Sequence, residues 1–256
     1  STMLTATVPG WTRGADLLAD DKADHILRIG TGLVELAPDH IIPTTLYNGQ
    51  FPGPLLRLME GRRVIVDIVN ETDTPELVHW HGQMIPSDVD GAAEEGTPTI
   101  PPHGMRRVAF VPKPSGFRFY HTHVAAMGDL SRGTYTGQVG PFYIEPKENP
   151  GAYDREIFLV LKEFEPSFSR GGDMVMDVLA GAPVPELVQM GKAADAAARE
   201  KAKGFEVGYD SFSINGRMLG HDEPIRVKQG EHVLFHILNG SAGEIRSLAL
   251  PGHVFR

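Results

Sequence analysis

The chain repeats itself, and the repeat limits what it can fold into. Leu56, Arg57, Leu58, Gly61, Val64, Val66, Ile68 and Asn70 return as Ile225, Arg226, Val227, Gly230, Val233, Phe235, Ile237 and Asn239, every pair 169 positions apart. Asn48-Gly49 returns as Asn215-Gly216. One spacing held over eight pairs implies two tandem copies of a single structural unit. Inside the first copy, short apolar runs at 25–36, 55–58, 63–69, 77–81, 105–111, 117–121 and 140–145 read as strands. The separators Pro38-Asp39, Asn48-Gly49, Pro52-Gly53-Pro54 and 112–116 are built from turn formers. The 29 glycines and 20 prolines are spread as punctuation and not bunched. Regular short strands of this kind predict an all-β protein whose first sandwich covers 25–148.

Ahead of it, 1–24 forms an N-terminal arm without the basic-then-apolar layout of a signal peptide, so the chain is either cytosolic or already processed. The second unit, 149–256, restarts with a strand at 156–163 and passes through a polar, Gly-rich stretch at 167–173. One helix follows, with Pro185 at its start, Ala, Glu and Lys through 186–203, and Gly204 as a stop. That helix near 185–203 is expected to decorate the surface of a sheet. The second copy ends well before the equivalent of the first copy's last strands. Left so, it would expose unpaired edges and half a core. The expectation is therefore a truncated second sandwich, completed by the remainder of a longer polypeptide or by another chain.

Two histidine pairs carry the chemistry: His79-Trp80-His81-Gly82 and His121-Thr122-His123. Side chains alternate faces along a strand, so H-x-H puts both rings on one side, about 6–7 Å apart. Two such strands side by side would converge four imidazoles, a donor set suited to copper, zinc, iron or nickel. Cysteine is absent, so neither a thiolate ligand nor a disulfide is available. In the second copy the positions matching His79 and His81 are Leu248 and Leu250, so that copy is expected to be metal-free there. The net charge of −9 and the lack of any Lys/Arg-rich run argue against nucleic acid or an anionic membrane as partner. No apolar run is long enough to cross a bilayer as a helix.

HWHG followed about 40 residues later by FYHTH resembles the multicopper oxidase family, laccases and copper-efflux oxidases among them. The likeness extends through YNGQFPGPLLR (47–57), VDG (89–91), IPPHG (100–104) and GTYTGQVGPFYIEP (133–146). Zinc hydrolases fit less well, as do copper nitrite reductases, whose first domain needs a cysteine. The resemblance implies tandem cupredoxin-like Greek-key sandwiches. It also implies a trinuclear copper cluster, with His79 on the type 2 copper, His81 and His121 on one type 3 copper, and His123 on the other. Asp90, 11 residues past His79, would orient the type 2 water and relay protons, although a turn-forming Asp before Gly91 explains it locally. The other four cluster histidines and the type 1 copper would belong to a domain this sequence lacks.

The implied reaction is laccase-like. A small reducing substrate (phenol, aromatic amine or metal ion) gives up single electrons, and O2 takes four of them to become water. Family habit places such proteins in the periplasm or outside the cell. The alternative is a non-catalytic cupredoxin module that binds and sequesters copper. The oxidase reading expects a polypeptide that continues past Arg256 into a cysteine-bearing segment; the sequestering module expects a natural stop there. Trp80 is expected to pack in the core. Met174 and Met176 are soft copper(I) donors in principle, read here as ordinary packing. The unpaired histidines (His25, His40, His103, His221, His232, His236 and His253) are read as surface or structural.

Overall fold

In a computed structural model, residues 21–126, 131–148, 151–165, 209 and 211–253 are described. Strand β1 (His25–Ala37) pairs antiparallel with β2 (His40–Tyr47) and parallel with β4 (Val64–Asn70), which pairs antiparallel with β6 (Met105–Phe110). The sheet order is β2-β1-β4-β6. A second sheet orders β3 (Leu56–Met59), β8 (Val139–Glu145), β7 (Gly116–Thr122) and β5 (Val78–His81) as β3-β8-β7-β5. Because the apolar residues alternate, each strand turns one face inward. Leu27, Ile29, Val66, Ile68, Trp80, Tyr120, Phe142 and Ile144 fill the space between the two sheets. Strand β2 carries no clear strand signal in the sequence because Pro43 interrupts its apolar run. The structure resolves this by placing β2 at the sheet edge, where a residue without an N–H is tolerated.

A third sheet, β11-β10-β9-β12, comes from β9 (Arg155–Phe164), β10 (Ser211–Ile214), β11 (Arg217–Met218) and β12 (Val233–Asn239). The sequence repeat is a structural repeat. Strand β12 runs parallel to β9 as β4 runs parallel to β1. Asn48 and Gly49 have φ of 52° and 67°, Asn215 and Gly216 of 51° and 79°, the doubly positive pattern that Asn-Gly tolerates best. Asn48 accepts from the Arg28 N–H (2.6 Å) and donates to the Ile26 carbonyl (3.0 Å). Asn215 accepts from Val160 (2.8 Å) and donates to Phe158 (3.0 Å), so each Asn side chain ties a turn to the strand beside it.

The copies diverge at Ile225–Val227, which form no strand although their counterparts make up most of β3. Strand β3 is held by β8, and among the described residues no strand plays that part in the second copy. Leu248 and Leu250 likewise lie outside any strand, each 42% exposed. The helix expected at 185–203, Met174 and Met176, and residues 1–20 of the arm lie outside the described residues.

The third sheet lies against the outer face of β7. Phe117 packs on Phe158 with ring centroids 5.4 Å apart, and Phe117 and Phe119 both pack on the cluster of Val139, Val160 and Leu238. Further along β7 the same face carries His121. The third sheet thus covers the Phe117 end of that face.

Candidate metal centre

Strands β5 and β7 pair antiparallel with His79 opposite His121 and His81 opposite Phe119. The register puts His79, His81, Phe119 and His121 on the outer face, while Trp80 and Tyr120, fully buried, point into the core. His123 follows just beyond the end of β7. The His79 ring centroid is 5.4 Å from that of His81, 5.3 Å from His121 and 5.1 Å from His123. One nitrogen from each of His79, His81 and His121 lies within 4.8 Å of the others. The His121 and His123 rings are 6.0 Å apart. All four imidazoles gather at one end of the β5–β7 pair with His79 at their centre. Phe119 stands beside them, stacked on His81 (4.3 Å, 21°) and on His121 (5.1 Å, 23°).

Local contacts fix the proton positions on two rings. His79 Nδ1 is 2.9 Å from the Asp90 carbonyl oxygen, and His121 Nδ1 is 2.8 Å from that of Thr122. A carbonyl only accepts, so both rings are protonated at Nδ1 and present Nε2 as the free donor. The Asp90 carboxylate is also near, with Oδ2 3.3 Å from the same Nδ1. Asp90 ends a one-turn helix, α1 (Ser87–Asp90), and Gly91 follows at φ 93°. A Cβ on Gly91 would overlap the Val78 carbonyl and the His79 Cα, so only glycine lets this turn lie flat against β5. The Thr97 hydroxyl accepts from the Gly91 N–H (2.9 Å) and donates to the Ser87 carbonyl, which closes the loop.

Burial lowers the pKa of His121 to about 4, opposed by its bond to the Thr122 carbonyl, with the neighbouring imidazoles adding to the drop. His81 is lowered by burial and by His79. Both rings are therefore neutral at pH 7, the form that binds a metal. Imidazole nitrogens alone, with two already oriented through their opposite nitrogens, suit a copper or zinc ion.

All five residues picked from the sequence, His79, His81, His121, His123 and Asp90, stand together. One neighbour at the site, Phe119, was not anticipated, although it had a signal, standing two residues before His121 and so on its face. Glu94, which with Asp90 and Glu95 forms an acidic trio able to tune the surroundings of the histidines but has no positional argument of its own, places Oε1 3.5 Å from His123 Nδ1. Elsewhere His40 Nε2 meets Ser211 Oγ (2.6 Å) and His236 Nε2 meets Glu156 Oε1 (3.2 Å), which ties separate strands together.

Residues 33–149 match the family model described as multicopper oxidase. The chain is 29% identical over 219 residues to the multicopper oxidase MmcO of Mycobacterium tuberculosis, covering 83% of this chain and 42% of that one. It is 34% identical over 118 residues to a copper resistance protein A homolog of Pseudomonas syringae pv. tomato, covering 46% and 19%. Among solved structures, it is similar to the blue copper oxidase of Nitrosomonas europaea, with a TM-score of 0.64, 23% identity, and coverage of 85% and 60%. That last likeness speaks to the cupredoxin-like fold alone. The matches span less than half the length of these two curated relatives.

Proposed function

We propose that this chain, whose residues 33–149 belong to the multicopper oxidase family, supplies copper ligands to a laccase-like oxidase that reduces O2 to water. The observation that carries the reading is the convergence of His79, His81 and His121, with three ligand nitrogens within 4.8 Å and His123 beside them. In this reading His79 holds the type 2 copper, His81 and His121 share one type 3 copper, and His123 holds the other. These four imidazoles are half of a trinuclear set. The type 1 copper, with the thiolate that a chain without cysteine cannot provide, is supplied from outside these residues. Copper would contribute one-electron redox chemistry and binding of O2.

The chain's own residues do the rest. The Asp90 and Thr122 carbonyls hold the His79 and His121 rings with Nε2 outward. Phe119 packs beside both His81 and His121 and limits their rotation. The Asp90 carboxylate is poised to hold a proton beside the His79 ring and to pass it to reduced oxygen, since cleaving O–O consumes protons. The electron donor is a small reducing molecule (phenol, aromatic amine or metal ion), and an exported setting follows from the same family reading.

Copper titration of the chain tests the ligand set. Wild type is expected to hold copper(II) through imidazole nitrogens, seen by electron paramagnetic resonance (EPR). Replacing His79 and His121 together by Ala should abolish this, and unchanged uptake in that variant would overturn the assignment. An oxygen electrode separates catalysis from sequestration: copper-loaded full-length protein should consume O2 with a phenolic donor. Copper held with no O2 uptake would favour the sequestering module.

A further inference from the structure

One buried acid next to the centre takes no part in the reading above. Glu76 is only 5% exposed. Its backbone is pinned by reciprocal bonds with Ile100 (2.9 and 2.8 Å), so the side chain starts from a fixed base. Its Oε2 accepts from Gln138 Nε2 (3.0 Å) and Thr122 Oγ1 (3.2 Å), both themselves buried. Burying a carboxylate among such neighbours costs several kcal/mol, and an apolar residue of similar size would pack there more cheaply. Stability of the core does not account for it.

What Glu76 holds does account for it. Thr122 stands between His121 and His123, and its peptide carbonyl accepts the hydrogen bond from His121 Nδ1. The Thr122 hydroxyl, which donates to Glu76, accepts from the Val124 N–H (3.2 Å) immediately after His123. Gln138 extends the brace, since its own carbonyl accepts from the Thr122 N–H (3.3 Å). Both sides of the H-T-H tripeptide are thus referred back to one carboxylate.

We propose that Glu76 is a positioning residue for the copper-binding pair at the end of β7: through Thr122 it sets the His121 ring and the spacing from His121 to His123. The inference rests on the reading of these histidines as copper ligands. The second partners of metal-bound histidines are worth about 10–100-fold in metal affinity. Glu76 would work one step further out, through the peptide that orients the ring.

The test is copper(II) binding by the full chain, with affinity from competition against a chelator and ligand geometry from EPR. Glu76→Ala and Thr122→Val should each weaken binding by about tenfold or more and alter the spectrum. Glu76→Gln, which keeps an acceptor oxygen, should recover part of both. Thr122→Val removes a single hydroxyl and nearly preserves shape, so it decides the matter if Glu76→Ala does not fold. Folded Thr122→Val with wild-type affinity and wild-type spectrum would overturn the role of Glu76. Wild-type chain that takes up no copper would instead overturn the ligand reading itself.

Discussion

Gly91 shows how much can depend on one absent side chain. Its positive φ and its position against the β5 backbone let Asp90 present both carbonyl and carboxylate to the His79 ring. Gly91→Ala should cost about 2–3 kcal/mol in urea unfolding through strain and overlap. It should also weaken copper binding at His79 more than at His123, which Asp90 does not touch. A stable Gly91→Ala protein with intact copper affinity would mean that the turn does not set the ring. The VDG motif pointed to this place in the sequence, but not to the reason. The overlap involves Val78, 13 positions earlier, and appears only when the loop folds back.

At the scale of the element, the two Asn-Gly turns are one device used twice. Each Asn side chain holds two backbone groups of the neighbouring strand. Asn48→Ala and Asn215→Ala should each destabilise by about 1–2 kcal/mol, combining lost hydrogen bonds with an unfavourable left-handed backbone. Thermal or urea unfolding of the two variants should give losses within about 0.5 kcal/mol of each other, and of their sum in the double variant. A large cost at one site and none at the other would show that the copies are alike in sequence but not in mechanics. Elements marked by alternation and by Asn or Gly were legible in advance. Strand β2 was not, because Pro43 signals a break whose tolerance depends on an edge position. Ile225–Val227 failed the other way: the right residues form no strand, because a strand also needs a partner.

At the scale of the whole molecule, the buried imidazole links the site to stability. His121 titrates near 4 when folded and near 6.5 when free. Between those values the unfolded chain binds more protons, so stability rises with pH across that window. His121 therefore imposes no cost above pH 6.5 and an increasing one as pH falls toward 4; a tenfold separation in proton affinity is worth about 1.4 kcal/mol. Metal-free wild type should lose stability over pH 6.5–4 more steeply than His121→Leu, measured as the urea midpoint. Parallel pH profiles for the two proteins would show that the ring is not held neutral. Copper, which also requires the neutral ring, should offset this loss where it is bound.

The sequence by itself determined the alternation, the repeat, and the pairing of histidines on common strand faces, because each of these follows from the period of a strand and the φ tolerance of Asn and Gly. It also determined which residues could be ligands, since imidazole chemistry belongs to the residue and not to its surroundings. Only the tertiary structure decided that His79 faces His121, that Phe119 stacks against His81 across the strands, and that Glu76 braces Thr122 from 46 positions away. Those relations depend on which strands become neighbours and in what register, a property of the packed chain that no local pattern encodes.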